Sequence, residues 1–230
     1  MNIRPIKTRV FEEGEDLLSF ITKYIPKLKD GSVLVVTSKI VALSEGRTAR
    51  IQDSKKIIRA ESDWVLQTKH VALTEKDGMI LANAGVDESN ANGKLILLPE
   101  DSFKTAQTLR SNILQNVAIK KLGVIISDSR VMPLRAGVVG IALGYAGLKG
   151  VRDYRGKTDL FGRRLKFTQT DVADSLATAA ALVMGEGNER QPLAVIEDAP
   201  VVFTGRVNKK ELLIPMKDDM YYPLFIKRRI

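Results

Sequence analysis

Residues 32–37 read Ser-Val-Leu-Val-Val-Thr, an unbroken run of apolar and β-branched residues between polar ends. Such a run predicts a strand buried on both faces. A second short run at residues 122–127, Leu-Gly-Val-Ile-Ile-Ser, predicts another core strand. Polar residues follow both runs: Ser38-Lys39 after the first and Asp128 after the second. Because a core strand holds its end rigidly, these polar residues are candidates for a binding site.

Helical patterns surround these strands along the chain. Apolar residues recur at helical spacing in three segments, residues 12–28, 103–117 and 169–184. Further strands are predicted at residues 64–74, 79–82, 94–98 and 192–197. Because strands and helices do not alternate strictly, we expect an α+β fold of mixed sheets with packed helices. We expect a single domain over residues 1–230, in which residues 199–230 form a C-terminal extension.

Composition excludes several kinds of catalytic site. The 230 residues include no cysteine and one histidine, His70, which is predicted to lie in a strand. Thiol nucleophiles, thiolate zinc sites and multi-histidine metal sites are therefore excluded. Any bound metal must have oxygen ligands, which favours magnesium, manganese or calcium. The chain has no apolar run of membrane-spanning length and no apolar signal core, so we expect a cytoplasmic protein without a membrane partner.

The net charge of +9 favours an anionic ligand, and seven basic residues lie between Lys149 and Lys166. This segment is either a solvated basic face or an anion-binding wall. A nucleic-acid binder is a third reading of the charge, but interleaved aromatic residues and a known binding module are missing, so nucleic acid is not the expected partner. Gly156-Lys157-Thr158 ends like a phosphate-binding P-loop, but the motif requires a glycine where Val151 stands.

Two acidic segments could form one site. Residues 80–90, Ile-Leu-Ala-Asn-Ala-Gly-Val-Asp-Glu-Ser-Asn, place Asp87 among small and polar residues. The same composition is also typical of an ordinary polar hairpin loop. Asp128 and Ser129 follow the second core strand, where we expect a second acidic turn. If the two segments converge, they form an all-oxygen site for a hard cation, and with the basic segment nearby such a site suits a nucleoside triphosphate.

Four motifs in order resemble those of the gamma-glutamyl ligases that extend the deazaflavin coenzyme F-420. They are Ser-Lys-Ile-Val to Glu-Gly-Arg at residues 38–47, Ala-Asn-Ala-Gly-Val-Asp-Glu-Ser-Asn at 82–90 with the later Leu-Leu-Pro-Glu-Asp, Arg-Asp-Tyr-Arg-Gly-Lys-Thr-Asp-Leu-Phe-Gly at 152–162, and Val-Ala-Asp to Val-Met-Gly at 172–185. The resemblance covers most of the chain, from about Val10 to Ile196, and the C-terminal extension is less similar.

The resemblance implies an α+β ligase fold and an intertwined homodimer. It implies a ligase that uses GTP, or ATP as an alternative, together with Mn²⁺ or Mg²⁺ and, as a further option, a monovalent cation. The acceptor's terminal carboxylate becomes an acyl phosphate, and the amine of L-glutamate displaces the phosphate to form an amide. Phosphorylation is needed because a carboxylate is a poor electrophile.

The resemblance also implies roles for individual residues. Asp87 and Asp128 are the catalytic carboxylates, and the metal ligands are Asp87, Asp128, Ser129 and Glu186. Nucleotide-binding positions are Thr8, Arg9, Val10, Phe11, Ser38, Lys39, Leu43, Asn90, Met184, Gly185, Glu186, Gly187 and Gln191. Substrate or anion contacts are expected at Arg152, Tyr154 and Arg155.

Several departures from the family pattern leave the acceptor open. Arg9 replaces a usual proline, Leu43 replaces a nucleotide-binding lysine, and Val138-Val139-Gly140 replace polar residues. The metal chemistry is therefore expected to be retained while the acceptor pocket is altered. The acceptor is a deazaflavin, a folate or a peptide, and a non-catalytic nucleotide-binding homologue is the alternative.

Overall fold

The computed structural model describes residues 1–226, and the last four residues of the expected C-terminal extension, 227–230, lie outside the described residues. The described strands are β1 (Asn2–Ile6), β2 (Ser32–Thr37), β3 (Thr48–Arg50), β4 (Trp64–Gln67), β5 (Ala72–Lys76), β6 (Met79–Ala82), β7 (Lys94–Ile96), β8 (Leu122–Val131), β9 (Val138–Ala146), β10 (Val151–Asp153), β11 (Gln169–Asp171) and β12 (Leu193–Glu197). The α-helices are α1 (Leu17–Tyr24), α2 (Ser38–Ser44), α3 (Ser54–Ala60), α4 (Ser102–Asn116), α5 (Val172–Met184) and α6 (Tyr222–Ile226).

The main sheet has five strands in the order β1-β12-β2-β8-β9. Its centre is formed by the two predicted core strands, because β2 and β8 pair in parallel with Val35 opposite Ile125. The neighbouring pairs β12-β2 and β8-β9 are antiparallel, so the sheet is mixed. Smaller sheets pair β4-β5-β6, β3-β7 and β10-β11. The predicted α+β class with mixed sheets is confirmed.

The residues of β2 alternate between two hydrophobic layers. Leu34 and Val36 belong to the layer that includes α1 and α4, whereas Val33 and Val35 belong to the layer that includes α5. This division follows from the two-residue period of a strand. Because both faces of β2 are buried, the residues between its polar ends are all apolar. The sheet is therefore covered by helices on both faces, and the site must lie at an edge or a strand end.

Strand β9 is packed against helices with almost no intervening space. A Cβ atom on Gly140 would lie 2.4 Å from the carbonyl oxygen of Ala177 in α5. A Cβ atom on Gly144 would lie 2.4 Å from the backbone nitrogen of Phe103 in α4. The pairing register with β8 shifts between these two glycines, which indicates a bulge. The glycines of β9 thus allow the helices to pack closely against the strand. The bulge also changes which face of the sheet the following residues point to.

Several predicted boundaries were wrong. Helix α1 begins at Leu17 with Asp16 as its N-cap, rather than at residue 12. Segment 64–74 is not one strand, because β4 and β5 are joined by a turn that contains His70. Strand β8 continues to Val131 and includes Asp128, so the second acidic segment is an extended strand and not a turn. No helix within residues 1–226 is long and apolar enough to cross a membrane.

The segment after β12 runs back across the molecule. The backbone amide of Lys149 donates to the carbonyl of Val202, and Phe203 forms a bridge with Leu148. Further along, the Glu211 carboxylate accepts hydrogen bonds from the Tyr145 hydroxyl (2.6 Å) and the Gly150 amide (2.7 Å). Residues 202–211 are thereby attached to the end of β9 and the residues that follow it.

Candidate functional site

The N-terminus of α2 approaches the second acidic segment. Thr37 ends β2 and is the N-cap of α2, so Ser38 and Lys39 occupy the first turn at the end of a central strand. The buried Ser38 hydroxyl donates to Oδ1 of Asp128 at 2.9 Å. Because β2 and β8 are parallel neighbours, the residues that follow Thr37 lie beside those that follow Ser127. Neighbouring strands therefore position this first contact.

Lys39 reaches the first acidic segment from the same helical turn. Its Nζ atom donates to Oδ2 of Asp87 and the carbonyl of Ser89, each at 2.8 Å, and to the Ser89 hydroxyl at 3.0 Å. Asp87 is itself fixed by two backbone hydrogen bonds with Ile96, at 2.8 and 2.9 Å. The Ser89 amide and hydroxyl donate to the Asp87 carboxylate, each at 2.7 Å. Two adjacent residues of α2 thus join Asp87 to Asp128, and the two acidic segments converge.

The two carboxylates have opposite pKa shifts. Part of Asp128 remains accessible, but its carboxyl group lies deep among protein atoms, and this burial raises the pKa of Asp128 to about 6. Burial would also raise the pKa of Asp87, but the hydrogen bonds from Lys39 and Ser89 outweigh it and hold that pKa below its usual value. The negative charge of Asp87 also raises the pKa of Asp128, which is a sign of their proximity.

The loop after α5 contacts both acidic segments. The Ser129 hydroxyl lies 2.7 and 2.8 Å from the two carboxylate oxygens of Glu186 and donates to that carboxylate. The side-chain amide of Asn90 donates to the carbonyl of Gly187 at 3.2 Å. Met184 is buried in the core, and Gly185 ends the helix with a positive φ of 81°. Three predicted nucleotide-binding parts of the chain therefore meet at the two acidic segments: Ser38-Lys39, Asn90 and the loop after α5.

The predicted first nucleotide loop lies beside this last loop. The Thr8 amide donates to the carbonyl of Arg190 at 2.8 Å, next to Gln191, whose side-chain oxygen is buried without a hydrogen-bond donor within residues 1–226. Arg9 pairs with Glu15, and Val10 is exposed. The Phe11 side chain is buried against the core, as is most of Leu43, so a ligand at these two positions would meet mainly backbone.

The predicted substrate contacts lie elsewhere in the described structure. Arg152 donates to the carbonyl of Pro200, and Arg155 pairs with Asp153 at 2.6 Å. Tyr154 lies next to Arg152 on the projecting hairpin that β10 and β11 begin. Within residues 1–226 no hydrogen bond or ion pair links these three residues to Asp87 or Asp128. In this chain alone, they do not line the acidic site.

Sequence reasoning missed Ser89 as a site residue. Its carbonyl and hydroxyl provide two of the three acceptors for Lys39. A signal was present, because a serine two residues after an aspartate commonly closes a turn on the aspartate carboxylate.

The donor atoms fit a hard cation by their chemistry. No cluster of three histidine, cysteine, aspartate or glutamate residues that could hold a metal occurs within residues 1–226. Asp87 and Asp128 are linked through the adjacent residues Lys39 and Ser38, and the Ser129 hydroxyl contacts the Glu186 carboxylate, so the groups at hand are all oxygen ligands. Mg²⁺-type sites commonly use one or two carboxylates and complete their shell with water and substrate phosphates. The residues therefore suit Mg²⁺ or Mn²⁺ together with a phosphate ligand.

Known proteins are similar to this chain over most of its length. The family model for F420-0:gamma-glutamyl ligase matches residues 5–61 and 53–198. A coenzyme F420:L-glutamate ligase of Methanococcus maripaludis is 36% identical over 230 residues, which cover 91% of each chain. The enzyme of the same name from Methanocaldococcus jannaschii is 33% identical over 234 residues, with 92% of this chain and 93% of the relative covered. A relative from another Methanococcus maripaludis strain is 40% identical over 172 residues, 74% of this chain and 66% of that protein. The chain belongs to the F420-0:gamma-glutamyl ligase family.

Proposed function

We propose that this protein is a nucleotide- and metal-dependent ligase that joins L-glutamate to the terminal carboxylate of an F420-type acceptor. The observation that carries the proposal is the convergence of Asp87 and Asp128 on the first turn of α2. Membership in the family and the activity for which its relatives are named support glutamate ligation and the acceptor class. GTP is the expected nucleotide, with ATP as the alternative.

The site residues have distinct tasks in this proposal. Asp87, Asp128, Ser129 and Glu186 would hold Mn²⁺ or Mg²⁺, which when bound would neutralise charge on the nucleotide phosphates. Ser38 orients the Asp128 carboxylate through its 2.9 Å hydrogen bond. Lys39, in the first turn of α2, would pair its ammonium with the nucleotide phosphates. The hydrogen bond from Asn90 to Gly187 joins the turn that contains Asp87 to the loop after α5, and so holds these two parts of the site together.

The proposed reaction has two displacement steps. An oxygen of the acceptor carboxylate attacks the γ-phosphorus of GTP, the bond to the leaving diphosphate breaks, and an acyl phosphate forms. The amine of L-glutamate then attacks the acyl carbon, the C–N bond forms, inorganic phosphate leaves and the amine loses a proton. The protein contributes mainly by positioning and by electrostatic stabilisation, because phosphoryl transfer requires little covalent participation of side chains.

Phosphate release from GTP with Mn²⁺ tests this proposal. We expect release that requires both L-glutamate and an F420-type acceptor, and mass spectrometry should show the acceptor heavier by one glutamyl unit. Folate and peptide acceptors serve as comparison arms, because the changes at Leu43 and Val138-Val139-Gly140 leave them open as alternatives. Nucleotide binding without glutamate-dependent release for any acceptor would instead indicate a non-catalytic homologue.

We also propose that the chain works as a homodimer, held in part by the hairpin at residues 153–169. Leu160 and Phe161 at its tip are 97% and 93% exposed, among basic side chains. Contiguous apolar side chains that project in this way mark interaction surfaces. The double variant Leu160→Ser, Phe161→Ser is expected to shift the dimer towards monomer by about tenfold or more in dissociation constant.

Sedimentation equilibrium at micromolar concentration measures this change. Met220→Ser is the matched control, since Met220 is 82% exposed outside the hairpin. A double variant that associates as tightly as the parent protein would rule out a role for the hairpin tip.

A further inference from the structure

The Lys39 ammonium is completely coordinated by the acidic turn. A lysine ammonium has three N–H donors. Here its acceptors are Oδ2 of Asp87 and both the carbonyl and hydroxyl oxygens of Ser89, all at 2.8–3.0 Å. The turn therefore forms an oxygen cage around a cation that the protein itself supplies.

This cage overlaps the proposed metal site. Oδ2 of Asp87 is bound by Lys39, and the other Asp87 oxygen accepts from the Ser89 amide. A divalent cation on Asp87 would meet the ammonium at the same oxygen, where two positive charges a few ångströms apart repel strongly in a partly buried site. Lys39 and a metal ion therefore compete for Asp87.

We propose that Lys39 is a tethered internal cation that occupies the acidic turn until metal and nucleotide arrive together, and that it then transfers from Asp87 to the nucleotide phosphates. This inference rests on the proposed function. Its side chain is 26% exposed and extends from the first turn of α2, so it can change partners without disturbing the Ser38–Asp128 hydrogen bond. After the exchange, the metal ion lies on Asp87 and the Lys39 ammonium lies on the phosphates.

The exchange makes the two ligands cooperative. Metal alone must release the ammonium into a place with no anion, which weakens its binding. When phosphates are present, the released ammonium gains an anionic partner, so nucleotide strengthens metal binding and metal strengthens nucleotide binding by the same factor. Removal of the Lys39 charge should therefore raise the affinity for metal alone and reduce the coupling.

Binding of Mn²⁺, followed by the electron paramagnetic resonance signal of the free ion, tests this directly. It is measured with and without a non-hydrolysable GTP analogue. For Lys39→Met we expect about tenfold tighter binding of Mn²⁺ alone and a loss of most of the coupling, which is typically 5- to 150-fold in such systems. Lys39→Gln is the second variant, because it keeps a hydrogen-bonding group without the charge. Lys94→Met is the matched control, since it also removes one ion-paired lysine, whose partner is Glu13.

The outcomes separate the two proposals. If Lys39→Met and Lys39→Gln bind Mn²⁺ alone no more tightly than Lys94→Met, the internal-cation role is wrong and the ligase proposal is unaffected. If the parent protein does not bind Mn²⁺ at millimolar concentration even with the nucleotide analogue, the metal-dependent function itself is overturned.

Discussion

Asp128→Asn is expected to lower glutamate-dependent phosphate release by about a thousandfold or more, the scale at which a single preorganised electrostatic group contributes to catalysis. Asparagine keeps the shape of the side chain and can still accept the Ser38 hydrogen bond. It lacks the negative charge that would hold the cation on which phosphoryl transfer depends. Asp77→Asn, in an exposed turn, removes the same charge away from the site and should retain the parent rate. Parent-like turnover in Asp128→Asn would contradict the proposed site.

The same variant should make the metal-free protein more stable at neutral pH. The folded pKa of Asp128 is raised to about 6 from its ordinary value of 3.8, so the native state holds its proton more tightly than the unfolded chain. Stability is therefore lost as pH rises through this range, and the loss remains above it. The shift corresponds to about 3 kcal/mol for full desolvation, and partial exposure of Asp128 reduces the expected gain to about 1–2 kcal/mol.

Urea unfolding in the presence of a chelator measures this gain. At pH 7.5 Asp128→Asn should have the higher free energy of unfolding, whereas below about pH 3 the two proteins should coincide, since both side chains are then neutral in the folded and unfolded states. A variant that is less stable than the parent at pH 7.5 would mean that the Asp128 charge is compensated within the native structure.

Gly140→Ala is expected to lower the free energy of unfolding by about 3 kcal/mol, at the upper end for overpacking in a core. The new Cβ atom would lie 2.4 Å from the Ala177 carbonyl oxygen and 2.9 Å from the Ala181 Cβ. Because the first contact is with backbone, α5 must move as a unit. Its movement would carry Glu186 away from Ser129, so ligase activity should fall together with stability.

Thermal and urea unfolding give the stability change, and Gly205→Ala is the matched control. Gly205 has no atom within 4 Å of a Cβ position and should change stability by less than about 0.5 kcal/mol. If Gly140→Ala is as stable as this control, the packing between β9 and α5 must be able to relax without cost.

The core of the fold could be predicted because its signals are local. The runs at residues 32–37 and 122–127 are apolar without interruption, and only a two-sided burial satisfies such a pattern. The position of Asp128 could not be predicted in the same way. Its inclusion in β8 depends on pairing with β9 after a bulge, and its partner there is Ile141, which follows 13 residues later. Local composition made the polar residues after Ser127 resemble a turn.

The residue types of the site could be predicted from the sequence, but the contacts between those residues could not. The polar residues around Asp87 indicated a binding turn or a plain hairpin loop equally well, since the same residue types form both. The choice depends on Lys39, which lies 48 residues earlier and meets Asp87 only through the tertiary fold. Arg152 and Arg155 have the appropriate charge, yet they lie on a separate hairpin. Charge alone does not report distance in space.

The attachment of Glu211 to Tyr145 and Gly150 has a consequence for where this protein can be shortened. The family match ends at residue 198, which would suggest that everything beyond it is dispensable. A protein cut there would leave the buried Tyr145 hydroxyl and the Gly150 amide without their acceptor. The stretch matched by the family model therefore ends before the physically intact unit does, and that unit includes at least residue 211.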